Sequence, residues 1–103
     1  MEVIKNEIGS YTISDKAFQD IAAICCNGIK NIYPTKKDSE FVSCKFNKNG
    51  DLLLDISIRV KQGVDIVKLC NKIQDEIKES ILLITGVECK KINIDIQGFE
   101  TKK

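Results

Sequence analysis

The feature that most restricts the fold of this chain is a two-residue alternation on both sides of an Asn-Gly pair. Apolar residues occupy alternate positions from 42 to 46 before Asn49-Gly50, and every second position from 52 to 60 after it. This period is typical of strands with one buried face. Asn and Gly both tolerate the positive φ of a tight turn. The pattern predicts a β-hairpin with strands 42–46 and 52–60, and its second sheet face is expected to be polar.

Upstream of the hairpin, residues 15–27 carry apolar side chains at helical spacing, which predicts an amphipathic helix. Ser14 or Asp15 can accept backbone N–H bonds at its start. Asn27-Gly28 predicts its end, because glycine adopts the left-handed C′ conformation without a steric penalty. A short extended segment, residues 10–13, is expected to precede the helix, and residues 30–40 are expected to form an exposed connection.

A second amphipathic helix is predicted over residues 65–84, with an apolar face that continues to Ile84. Gly63 ends the preceding strand, and Asp65 can cap the helix. Gly86 is predicted to terminate the helix with a left-handed backbone, so that the Thr-Gly-Val step serves the fold.

The final strand is predicted to contain a β-bulge. Its apolar positions are odd-numbered at Val87 and Cys89 but even-numbered from Ile92 to Ile96. A slip of one residue near Lys90-Lys91 restores a continuous buried face. The residues from Gly98 onward are expected to be frayed.

The predicted order β-α-β-β-α-β favours an α+β fold. Two right-handed crossovers would place both helices on one face of a mainly antiparallel four-stranded sheet, the ferredoxin-like arrangement, with a short first strand. A three-stranded sheet with a loose N-terminus is the alternative. Since 103 residues suffice for one domain, we expect a single domain over residues 1–103, with its core at about 9–98.

The charge balance and the apolar runs exclude several classes of function. The net charge is only +1, which argues against a nucleic-acid-binding surface. The longest apolar run, Ile81–Ile84, is far shorter than the roughly 20 residues of a membrane span. No signal peptide is recognisable. We therefore expect a cytoplasmic protein that has no span of its own and reaches a membrane only through a partner.

The residue types also argue against catalysis and metal binding. There is no histidine, and none of the five cysteines forms a C-x-x-C pair. We predict no catalytic residue, no cofactor, no metal and no internal disulfide. Asp55 and Asp95 are the carboxylates that could form a catalytic pair, and the helix start near Asp65 could hold an anion. Solvated side chains and a helix cap are the preferred interpretations.

The polar face of the sheet is the most promising functional surface. Its mixed charges suit a protein contact, although simple solvation explains them equally well. The candidate contact residues are Ser57, Arg59, Asn93, Asp95 and Gln97, with Ser43, Lys45 and Asp55 on the same face. Residues predicted to have purely structural roles are Gly28, Asn49, Gly50, Gly63 and Gly86.

The order and spacing of several short motifs resemble the alkaline shock protein family, the Gls-type envelope stress response proteins of Gram-positive bacteria. The motifs are Val60-Lys61-Gln62-Gly63, Ile73-Gln74, Thr85-Gly86-Val87 and Ile92-Asn93-Ile94-Asp95-Ile96, with Ile13-Ser14, Ile21-Ala22-Ala23 and Gly28-Ile29 in the N-terminal part. The resemblance covers nearly the whole domain.

The resemblance implies a non-enzymatic cytoplasmic protein of cell-envelope homeostasis. Such a protein would associate with itself, or dock a membrane-anchored or cytoplasmic protein partner. The alternative is a small-molecule-responsive regulatory domain linked to lipid or fatty-acid metabolism, since other family members are associated with that role.

Overall fold

The fold was taken from a computed structural model that describes residues 15–101 in full and the backbone of residues 3–6 and 9–12. The elements in chain order are β1 (Val3–Asn6), β2 (Gly9–Thr12), α1 (Asp15–Asn27), β3 (Ile32–Pro34), β4 (Val42–Phe46), β5 (Leu52–Lys61), α2 (Ile66–Thr85) and β6 (Cys89–Glu100). Two helices and a four-stranded sheet confirm the predicted α+β class.

Strand β5 is the centre of the sheet because it is paired along both sides. On one side β4 and then β3 run antiparallel to it, so that Phe46 lies opposite Leu52 and Ile32 lies opposite Val60. On the other side β6 runs parallel to it along its whole length. Strands β3 and β4 therefore share one edge of the sheet, and β6 forms the opposite edge.

The N-terminal strand departs from the expected arrangement. β2, which contains most of the predicted 10–13 strand, pairs only with β1 in a separate two-stranded sheet, and Ile13 lies outside the described residues. The fourth strand of the main sheet is β3, in the segment expected to be an exposed connection. Without a strand between them, β5 and β6 are direct parallel neighbours, whereas antiparallel neighbours were expected. Helix α2 supplies the crossover that parallel neighbours need.

Both helices pack on one face of the sheet, as predicted. The apolar even-numbered side chains of β5 are buried beneath them. The helix residues that form this core include Phe18, Ala22 and Cys26 of α1 and Ile73, Ile77 and Ile81 of α2. One continuous core therefore joins both helices to the sheet.

The last turn of α2 extends past this core. Ile84 has the helical phase of Ile77 and Ile81, and the sequence pattern placed it on the buried face. Its side chain is 68% exposed, however, so that expectation was wrong. The helical phase was predicted correctly, but none of the described residues covers this end of the helix.

The two helices end differently. Gly86 has a φ of 77° and its N–H donates to the carbonyl of Leu82 at 2.9 Å, so the predicted left-handed cap is confirmed. Thr85 reinforces it, because its hydroxyl accepts from the N–H of Val87. Gly28 was also expected to be left-handed, and this was wrong: the backbone continues through a further turn, and the positive φ of 72° occurs at Asn31. Ser14, the other proposed cap of α1, lies outside the described residues.

The hairpin turn lies where it was predicted, but Asn47 organises it. The side-chain oxygen of Asn47 accepts from the N–H groups of Asn49 and Asp51, both at 2.9 Å. Gly50 has a φ of 82°, as expected, whereas the backbone of Asn49 is not left-handed. The predicted bulge is confirmed too, since the register of β6 against β5 skips Lys90.

Candidate functional site

The polar sheet face is the side of the sheet turned away from both helices. It is formed by alternate side chains of the three longest strands: Ser43 and Lys45 of β4, Asp55, Ser57 and Arg59 of β5, and Asn93, Asp95 and Gln97 of β6. The register sets Ser43, Asp55 and Asn93 in one row across the sheet. The alternation that predicted this face is therefore present in the structure.

Asp55 is the centre of a polar cluster that joins three strands. The Asn93 amide donates a hydrogen bond to one carboxylate oxygen of Asp55 at 3.0 Å. The ammonium of Lys45 lies 3.8 Å from the other oxygen. Because all three side chains are exposed or half-exposed, such an ion pair stabilises the fold by at most about 1 kcal/mol. These contacts join the three side chains across the sheet.

Arg59 forms the second cluster, with a residue that the sequence pattern had assigned to a frayed tail. Its guanidinium Nε lies 2.9 Å from a carboxylate oxygen of Glu100. The Arg59 side chain passes over Gly98, where an added Cβ would lie 3.7 Å from the same nitrogen, an ordinary contact. Strand β6 thus remains ordered beyond Gly98 and completes the polar sheet face.

Thr35 extends this surface from the loop after β3. Its hydroxyl lies 2.9 Å from the carbonyl oxygen of Ser57 and 3.1 Å from the Ser57 hydroxyl. The amide of Gln97 donates to the Asp95 carboxylate. All five predicted contact residues therefore lie on one surface and have partners there.

The two carboxylates considered as a catalytic pair are not joined. Asp55 is engaged by Asn93 and Lys45, and Asp95 is engaged by Gln97. The register sets Asp95 opposite Ser57, one row away from Asp55. Asp65, at the start of α2, accepts a hydrogen bond from the N–H of Lys68 at 3.2 Å. That carboxylate occupies the position where an anion would bind.

The five cysteines are free thiols distributed over both helices and the sheet. Burial raises the pKa of the Cys26 thiol to about 12, with a smaller contribution from Cys25 beside it. Burial also raises the pKa of Cys44 to about 11, and it raises the pKa values of Cys70 and Cys89. These four thiols are protonated near neutral pH, whereas a nucleophilic cysteine requires the thiolate.

Within residues 15–101, no three side chains of the metal-ligating types come together. Neither of the helices there combines enough length with enough apolar character to cross a bilayer.

Comparison with known proteins shows the family of the chain. No solved structure matches it. A family model matches residues 26–101, from the end of α1 through β6, and it describes the alkaline shock protein 23 family, with a cell envelope-related function. The match includes every residue of the polar sheet face and confirms the resemblance seen in the sequence motifs. This chain therefore belongs to that family of cell envelope-related proteins.

Proposed function

We propose that this protein acts at the cell envelope by protein contact, without a catalytic centre of its own, and that the polar sheet face is its contact surface. The observation that carries the proposal is the mutual fixation of the side chains on that face. Lys45, Asp55 and Asn93 hold one another across three strands, and Arg59 is held by Glu100. A surface that is ordered before binding loses little conformational entropy when a partner docks.

The chemistry of the described residues supports contact over catalysis. Proton transfer and nucleophilic attack need a base or a thiolate with a pKa near the working pH. The chain has no histidine, and burial raises the pKa of four of its thiols. The carboxylates of the polar sheet face lie among amides and lysine, where they are suited to charge recognition.

The partner in this proposal is a second copy of the chain, or a protein that is anchored in the membrane or lies in the cytoplasm beside it. The protein itself would be cytoplasmic and reach the membrane through that partner. A small-molecule regulatory domain is the alternative; such ligands usually bind in clefts that bury most of their surface, whereas the depressions found among residues 28–101 are partly open to solvent.

The test is binding of the purified chain to membrane vesicles prepared from cells that lack it. The double variant Lys45→Glu/Arg59→Glu reverses the two cations that form ion pairs on the polar sheet face. The double variant Lys68→Glu/Lys72→Glu makes the same change in charge on the exposed side of α2 and is the matched control. We expect the first to reduce co-sedimentation at least about tenfold, because charge reversal at a docked surface opposes association. The control should bind as the parent does.

Three outcomes of the vesicle experiment bear on whether the protein acts by contact through the polar sheet face. Protease treatment of the vesicles should abolish binding, because the proposed partner is a protein. Equal binding by both double variants would show that the polar sheet face is not the docking surface. Binding that requires small molecules from a cell extract would favour the regulatory domain.

A further inference from the structure

The two edges of the main sheet differ in how well they are protected from pairing with another chain. At one edge, β3 has three residues and ends at Pro34, and β4 has five residues. Gln19 of α1 donates to the carbonyl of Val42 there, at 2.7 Å. Short strands, proline and capped carbonyls are features that block edge pairing. At the other edge, β6 is 12 residues long and contains no proline.

The hydrogen-bond pattern shows which peptide groups of β6 point outward. The N–H of Ser57 donates to the carbonyl of Phe41 on the β4 side. The backbone N–H and C=O groups of the odd-numbered β5 residues therefore point towards β4, and those of the even-numbered residues point towards β6. In the parallel pairing of β5 with β6, the backbone N–H and C=O groups of the even-numbered β6 residues from Ile92 to Ile96 must then point away from β5, towards the open edge. Gln74 confirms this, because its amide reaches the Ile92 carbonyl from α2. Among residues 15–101, no strand covers this edge.

We propose that the β6 edge pairs antiparallel with β6 of a second copy, about a two-fold axis beside Asn93. This inference rests on the self-association named in the proposed function and specifies its geometry. It joins the two sheets into one continuous sheet across the dimer. The same surface is used by both copies, as a closed two-fold dimer requires.

Charge selects the register. Outward-facing residues must pair with one another, and the registers that centre on the middle of the outward-facing run have Asn93, Ile94 or Asp95 on the axis. The last opposes two aspartates and is unfavourable. The Asn93 register sets Lys91 opposite Asp95 of the other copy, twice, whereas the Ile94 register forms no ion pair. Lys91 is exposed and has no ion pair within its own described chain.

Helix α2 supports the same axis independently. Val67 is 70% exposed and Leu82 is 50% exposed, and they are two of the four exposed large apolar residues of α2, with Leu83 and Ile84. Val67 and Leu82 lie about two turns before and two turns after Gln74; Val67 has nearly the helical phase of Gln74, and Leu82 lines a depression with Cys89 and Lys90 at the start of β6. A two-fold axis near Gln74 sets Val67 of one copy beside Leu82 of the other. The hydrogen bond from Gln74 to Ile92 shows that Gln74 lies beside the part of β6 next to Asn93. One two-fold axis can therefore pass close to both residues.

The hydrogen bond from Gln74 is compatible with the dimer. A backbone carbonyl has two lone pairs, so the Ile92 oxygen can accept from Gln74 and from the N–H of Ile94 of the other copy.

The test is a charge exchange followed by sedimentation over a concentration series. Lys91→Glu and Asp95→Lys each place like charges opposite one another, and each should raise the dimer dissociation constant at least about tenfold. The double variant Lys91→Glu/Asp95→Lys restores two opposite-charge pairs and should dimerise within about threefold of the parent. Lys48→Glu, in the β4–β5 turn, carries the same charge change away from the edge and should have no effect.

A crosslink provides a second measurement. Residues on the axis of a non-hydrogen-bonded antiparallel pair have Cα atoms about 4.5 Å apart, which suits a disulfide. Asn93→Cys should therefore give a disulfide-linked dimer on mild oxidation, whereas Asp95→Cys, two positions from the axis, should not.

A monomeric parent at every concentration, failure of the charge exchange to restore the dimer, or equal crosslinking of the two cysteine variants would each overturn the β6 dimer. Vesicle binding distinguishes these failures from failure of the proposed function. Variants at residue 91 leave the Lys45 and Arg59 clusters intact, so they can lose the dimer and still dock a different protein.

Discussion

The side-chain amide of Gln74 donates a 3.0 Å hydrogen bond to the backbone carbonyl of Ile92 and thereby fastens α2 to the outer edge of β6. Gln19 makes the corresponding contact from α1 to the Val42 carbonyl of β4, at 2.7 Å. Each helix therefore satisfies one carbonyl at one edge of the sheet. In the family resemblance Gln74 belongs to the Ile-Gln motif, and this contact gives that motif a structural role.

Replacing the Gln74 amide should destabilise the protein. Gln74→Leu keeps the size of the side chain but leaves the part-buried Ile92 carbonyl without its donor, so the free energy of unfolding should fall by about 1 kcal/mol. Gln62→Leu is the control, because the side chain of Gln62 is exposed. Urea denaturation measures both. Equal midpoints for the two variants would show that the amide contributes nothing.

Gly86→Ala should lower the free energy of unfolding by about 1 kcal/mol, because an L-residue is strained at a φ of 77°. No atom lies within 4 Å of the added methyl group, so backbone strain is the only penalty. Gly28→Ala is the matched control: φ is not positive there, and the methyl would lie 3.6 Å from the Cys25 carbonyl oxygen, an ordinary contact. Gly28→Ala should therefore be neutral or stabilising. Similar losses in both variants would contradict the difference between the two helix ends.

The β4–β5 turn should depend on Asn47 more than on Asn49. Asn47→Ala removes the acceptor of two backbone N–H groups, and we expect a loss of about 1–2 kcal/mol. Asn49→Ala should change stability by less than about 0.5 kcal/mol, because Asn49 takes part in the turn through its backbone. Thermal unfolding of both variants tests the ranking, and the reverse order would disprove it.

Cys26 should make the protein sensitive to alkali. Its thiol has a pKa of about 12 in the folded protein, raised by burial from 9.0. Above pH 9 the unfolded chain loses this proton while the folded protein retains it, so unfolding becomes more favourable as the pH rises towards 12. One such group contributes a slope of up to about 1.4 kcal/mol per pH unit.

The measurement is the free energy of unfolding from pH 8 to pH 11, for the parent and for Cys26→Ala. The variant should be less stable at pH 8, because it loses buried volume, but its stability should fall less steeply with pH. The ionisable groups that the two proteins share contribute to both curves and cancel in the difference. Parallel curves would show that the Cys26 thiol does not control the alkaline slope.

Long periodic segments allowed much of this fold to be predicted. The alternation of β5, the apolar stripe of α2 and the change of parity near Lys90 are each specified by many residues. Strand β3 was missed because its three residues, which end in proline, are too few to show a period. The parallel pairing of β5 and β6 was missed for a different reason. It depends on the position of the N-terminal strand, which no local pattern contains.

The polar sheet face was predicted only up to the second register shift. Side-chain parity placed Ser57, Arg59 and Asp95 correctly. Beyond Ile96, β6 skips a residue against β5, and this slip turns Glu100 towards Arg59. The apolar pattern changes parity there, from Ile96 to Phe99, but one residue at the end of a strand is too little to predict a slip. Thr35 was missed because it joins the face from a loop, through a long-range contact.

The position of β5 between strands on both sides has a consequence during synthesis. Its antiparallel partners β3 and β4 leave the ribosome first, so the hairpin can form at once. Its parallel partner β6 begins 28 residues after β5 ends, beyond the whole of α2 (89 − 61). At translation rates of roughly 5–20 residues per second, the backbone N–H and C=O groups along the second edge of β5 stay unpaired for about 1–6 s. In that interval the nascent chain presents an open strand, which a chaperone can bind and a neighbouring nascent copy can pair with.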